Sequence, residues 1–75
     1  MREASGKIYL LTRTNVDRYP YHRRFDTKPS QQDLFDMLFE YYDEEKSRRC
    51  AEELFNAGYT SVDDMAGTEF RISEL

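Results

Sequence analysis

One cysteine, one histidine, two prolines and three glycines are all that this 75-residue chain holds of those types. A single thiol, Cys50, closes no intrachain disulfide, so the chain is not a stapled secreted mini-protein. One Cys and one His cannot supply the four ligands of a structural zinc site. His22 has no nucleophile or orienting acid at a defined spacing, as general-base or covalent chemistry would require. There is no glycine-rich phosphate loop, and no EF-hand pattern surrounds Asp63 and Asp64. No apolar run approaches a membrane span, and residues 1–13 hold none long enough for a signal peptide. A cytoplasmic protein without catalytic residues, metal ligands or cofactor is therefore expected. Low-complexity segments are also missing, and a small folded domain is favoured over a disordered chain.

Hydrophobicity is scarce as well: the apolar fraction is 39% and the mean hydropathy −0.90. Six Tyr and five Phe compensate, since each buried aromatic removes roughly 150–250 Å² from water. The expectation is one domain over 1–75, frayed over 1–6, with an aromatic-rich core. At this length such a core contributes no more than ~3–5 kcal/mol of net stability.

What the chain does have is segregated charge. Residues 1–30 carry seven Lys/Arg against three acids, and residues 31–75 carry four against twelve. A small fold built from these halves sets one basic element beside an acidic surface, and such fields steer charged partners.

Residues 7–13 are rich in β-formers and read as a strand. Tyr9, Leu11 and Arg13 share one face, and Ile8, Leu10 and Thr12 the other. Residues 14–18 read as a turn, and 19–25 as a second strand, kept to an edge by Pro20. Ser30, followed three residues later by Asp33, is an N-cap signal for a helix over 31–42. Leu34, Leu38 and Tyr41 mark its apolar face. Residues 43–49 lack apolar side chains: either one helix projects into solvent there, or a second helix starts with Asp43 as its cap. Cys50, Ala51, Leu54 and Phe55 restore helical spacing, and Gly58 sits where a left-handed C-cap is wanted. Thr60 or Ser61 is read as the cap of a short turn over 62–66. Residues 70–75 alternate as a closing strand, with Phe70, Ile72 and Leu75 facing inward. The order β-β-α-α-β predicts an α+β two-layer sandwich: a three-stranded antiparallel sheet, 7–13 central, with the helices on one face.

Two constellations are candidates for function. Residues 18–25 interleave cations with aromatics, and Tyr19, Tyr21, Arg23 and Arg24 are of the types that dominate protein-interface hot spots and that contact single-stranded nucleic acid. Asp33, Asp36, Glu40 and Asp43 step by three or four along the predicted first helix, and Glu44 and Glu45 extend them. Such a row can occupy a site built for phosphates. The bland alternatives are a strand with solvated arginines and a solvated helix face. Arg48 with Glu52, and Arg49 with Glu53, are expected as i,i+4 pairs.

Phe25-Asp26-Thr27-Lys28-Pro29-Ser30 followed by Leu34, between a starting strand and the closing Phe70-Arg71-Ile72, resembles small bacteriophage accessory proteins of the host-takeover and anti-CRISPR type. That resemblance implies a context in which a host nucleic-acid machine is blocked by occupation of its surface; it assigns no residue a role. The functional expectation is a non-enzymatic inhibitor or adaptor, monomeric or homodimeric. Its acidic helical surface occupies a basic groove on a host nucleic-acid-processing protein such as a CRISPR effector. The alternative is a small RNA- or DNA-binding module that uses the basic hairpin.

Overall fold

A computed structural model describes residues 7–75; the fray expected over 1–6 lies outside the described residues. The order is β1 (Tyr9–Thr14), β2 (Tyr21–Phe25), α1 (Gln31–Phe39), α2 (Glu44–Ala57), β3 (Tyr59–Ser61) and β4 (Glu69–Glu74). The strands form one antiparallel sheet in the order β2-β1-β4-β3. The α+β layout, the central β1 and its pairing with the last strand all match the expectation. The sheet has four strands rather than three, because the chain leaving α2 enters β3 at once.

Alternation explains which face is covered. Leu11 pairs with Arg23 on one side and Ile72 on the other. Its face of the sheet meets Leu34 and Leu38 of α1 and Cys50, Ala51 and Leu54 of α2, with Val62 and Phe70 completing the buried cluster. This core is mainly aliphatic. Phe25, Phe35, Phe55 and Tyr42 pack around it half-buried, which corrects the expected aromatic core. The larger rings sit at its margin, where the thin layers leave one side wet. Leu75, expected inward, is exposed: its amide still donates to Ile8 O at 2.8 Å, but alternation from Phe70 and Ile72 turns residue 75 to the opposite face.

Ser30 starts α1 with a full capping box. Its hydroxyl accepts from Asp33 N at 3.0 Å, and the Asp33 carboxylate accepts from Ser30 N at 3.2 Å. The helix stops at Phe39 rather than 42. The Leu38 carbonyl accepts from both Tyr41 N (2.9 Å) and Tyr42 N (3.0 Å), which tightens the last turn. Asp43 is extended and accepts from Lys46 N at 2.7 Å, so of the two alternatives the second helix is the one formed. Buried Ser47 braces the corner by donating its hydroxyl to Tyr42 O at 3.3 Å. Tyr41, expected on the apolar stripe, belongs to this corner and is exposed. On α2, Arg49 pairs with Glu53 as expected; Arg48 pairs with Glu44, one turn toward the N-terminus, instead of with Glu52. Among the described residues no helix is long and apolar enough to cross a membrane.

Gly58 caps α2 with φ 75°. Its carbonyl accepts from Ile72 N at 2.9 Å, and a Cβ there would lie 3.3 Å from the Ile72 carbonyl oxygen. The turn into β3 therefore needs glycine for both its backbone angle and its closeness to β4.

Candidate functional site

Three connections meet at one end of the molecule: residues 15–20, 40–43 and 62–68. Each is fixed by local chemistry. Asn15 Oδ1 accepts from Asp17 N (3.1 Å) and Arg18 N (2.9 Å), an Asx-type turn. Val16 N donates to Ala66 O at 2.9 Å and joins the first connection to the third. In the third, Asp64 accepts from Ala66 N (3.1 Å), Thr68 N (2.9 Å) and the Thr68 hydroxyl (2.7 Å). The Thr68 bonds, hydroxyl first, and then the Ala66 amide hold the Asp64 carboxyl below its ordinary range against a smaller opposing effect of burial.

A cavity of about 490 Å³ opens here. Arg13, Arg18, Arg23, Tyr21, Tyr41 and Tyr42 line much of it, with carboxylates from Asp17, Glu40 and Asp64. The Arg13 guanidinium carbon lies 5.2 Å from the Tyr21 ring centroid, a cation–π distance. Its Nε is sealed from water, with no acceptor among the described residues. A buried donor left this way costs about 1–3 kcal/mol. Burial raises the Tyr42 phenol above its ordinary value, and the Asp64 carboxylate adds to that rise.

A second groove, of about 390 Å³, runs between β2 and α1. Arg23 and Phe25 form one wall; Asp33, Asp36, Glu40 and Met37 form the other. Arg23 lies over the Phe25 ring at 4.9 Å, and among the described residues no ion pair joins it to those carboxylates.

The six acids of the expected row are all exposed, but they do not form one line. The α1–α2 corner divides them. Asp33 is committed to the capping box, Asp36 accepts from Gln32 Nε2 at 2.8 Å, Asp43 caps α2 and Glu44 is paired with Arg48. Glu45 shares the outer face of α2 with two arginines, so that face is of mixed sign. The basic hairpin is divided too. Tyr21 and Arg23 face the helix side and reach the cavity, and Tyr19 stands exposed on the loop before them. Arg24 points to the opposite, open face, 3.6 Å from Asp26. His22 shares that face, its Nδ1 3.1 Å from the Thr12 hydroxyl.

Arg18 belongs to the site as the first residue of the 18–25 run, and Arg13, Tyr41 and Tyr42 belong to it although the charge and aromatic runs did not single them out. Arg13 carried a legible signal, a cation on the face that Tyr9 and Leu11 turn to the core. Among the described residues no group of three or more His, Cys, Asp or Glu could hold a metal ion. Comparison with protein-family models, with curated proteins and with solved structures finds no match.

Proposed function

We propose that the chain is a non-enzymatic protein-binding module, an inhibitor or adaptor, that docks through this end of the molecule. The carboxylates of α1 form an acidic shoulder beside it. The carrying observation is that Tyr19, Val16 and Tyr41 are 94%, 81% and 72% exposed on connections held by their own hydrogen bonds. Tyr, Met and Arg are enriched in interface cores; Met65, on the third connection, is fully exposed and Arg18 lines the cavity beside them. Pre-tied loops lose little freedom on docking. A partner with a basic surface, such as a nucleic-acid-processing protein or a CRISPR effector, suits the shoulder of Asp33, Asp36 and Glu40, which steers approach and raises the on-rate. Inhibition would be by steric and electrostatic exclusion.

Quantitative capture from a host lysate with three folded variants tests this. Tyr19→Ser with Tyr41→Ser abolishes capture of the partner. Asp36→Lys with Glu40→Lys slows association and weakens its salt dependence. Glu45→Lys with Glu52→Lys leaves capture intact. Undiminished capture by the tyrosine variant, with an unchanged circular dichroism spectrum, rejects the docking surface. A nucleic-acid module using Arg18 and Arg23 is the rival. Tight filter binding of single strands that weakens steeply with salt and is lost on Arg23→Ala would favour it.

A further inference from the structure

We propose that the cavity lined by Arg13, Arg18 and Arg23 binds a phosphate monoester carried on a flat ring, the chemistry shared by a nucleoside monophosphate and a phosphorylated tyrosyl group. This concerns the isolated chain and stands apart from the docking reading.

Three guanidiniums and three carboxylates line the cavity, and they do not neutralise one another in pairs. Arg13 Nε is shut away from water with no acceptor among the described residues, so a bound phosphate reaches it only when the Arg13 side chain turns from the Tyr21 ring toward the cavity. Neither Arg18 nor Arg23 has a carboxylate partner among the described residues. Of the three carboxylates at the cavity, Asp64 is the half-buried one, and it already accepts from Ala66 N, Thr68 N and the Thr68 hydroxyl. Asp17 and Glu40 are exposed, where water and salt screen them. What the pocket wants is an added acceptor, and a guanidinium fork matches phosphate oxygens in pairs. A monoester of charge about −1.5 to −2 also answers several cations at once, as a carboxylate does not.

The ring follows from the tyrosines. Tyr21 and Tyr41 line the cavity and are 45% and 72% exposed. Arg13 lies over Tyr21, and the exposed parts of the two tyrosines offer ring surface on which any planar aromatic can stack. The volume of about 490 Å³ falls in the usual range for small-molecule sites, ~300–1,000 Å³.

The test is an NMR titration of the full chain that observes the arginine Nε–H groups. The probes are adenosine 5′-monophosphate, a phosphotyrosine amide, inorganic phosphate and adenosine. The Arg13 signal should shift saturably with at least one of the two ring-bearing monoesters. Inorganic phosphate should bind about tenfold more weakly or worse, and adenosine should leave the signal in place. Whichever monoester binds more tightly identifies the natural source. Arg13→Met, which removes the orphan donor and keeps the chain length, should weaken binding about tenfold or more. Should that variant not fold, Arg23→Gln, at an exposed position, should give a loss of the same order. An Arg13 signal unmoved by either monoester overturns the site. So does a non-saturating drift shared equally with Arg48 and Arg71, which marks general ion pairing.

Discussion

Asp64 organises its connection by accepting three hydrogen bonds, and that role sets how the protein responds to acid. Its folded-state pKa is depressed, first by the Thr68 hydroxyl. Its contribution is therefore present above the ordinary carboxylate value and lost as pH falls through the lower folded value. Asp64→Ala is expected to cost about 1–2 kcal/mol at neutral pH, and the gap from the parent should close in strong acid. Thermal melts across that range check it. Tyr42 acts at the other end of the scale. Its phenol is raised, first by burial and then by Asp64, so its contribution holds below the ordinary phenol value and is lost as pH rises through the raised one. Tyr42→Phe should remove its share of that alkaline decline. An ultraviolet titration of the parent should show two tyrosines ionising later than the rest, Tyr42 and Tyr59, the latter raised by burial and by Glu69; the variant should retain only one of them. At this scale the sequence showed less than the fold. The alternation that put Arg13 on the same face as Leu11 was readable. Its lack of an acceptor was not, because that depends on Asp64, fifty-odd residues away, being satisfied by its own loop.

Among the elements, those with chemical punctuation were legible. Ser30 and Asp33 announced α1, Asp43 was one of two readings for the start of α2, and Gly58 marked its end. The energies of these signals can be measured. Ser30→Ala should cost about 1 kcal/mol through the lost cap. Gly58→Ala should cost about 1–2 kcal/mol, because φ of 75° places an L side chain in the left-handed region and its Cβ close to the Ile72 carbonyl. Urea unfolding of both variants reads these out. Two elements were misread for physical reasons. The end of α1 was hidden because Glu40, Tyr41 and Tyr42 do not oppose helix; tertiary bracing by Ser47 stops it. β3 was hidden because three residues are too few to alternate, and Thr60 and Ser61 have the chemistry of caps. Only its pairing with β4 identifies it as a strand.

Over the whole molecule, the charge segregation evident in the sequence becomes a confrontation across a groove. Arg23 on β2 stands opposite Asp33, Asp36 and Glu40 on α1. The acidic line expected along the first helix, extended by Glu44 and Glu45 at the junction, is divided by the corner at 40–43. The site at the end of the molecule was the least readable feature. It exists because β1 pairs with β4 and because Val16 is tied to Ala66, contacts between segments far apart in the chain.

Cys50 is fully buried in the core, its sulfur 4.0 Å from the Ser61 carbonyl, so an alkylating reagent reaches it only when α2 and β3 part. The chain thus carries its own stopwatch. Under conditions where reclosing outpaces labelling, the rate of thiol modification should rise with urea in step with the opening equilibrium. It should fall when a ligand occupies the native state, by the factor one plus free ligand over Kd. Mass spectrometry of iodoacetamide-treated protein would then time how often the hydrophobic interior is breached, without any introduced label.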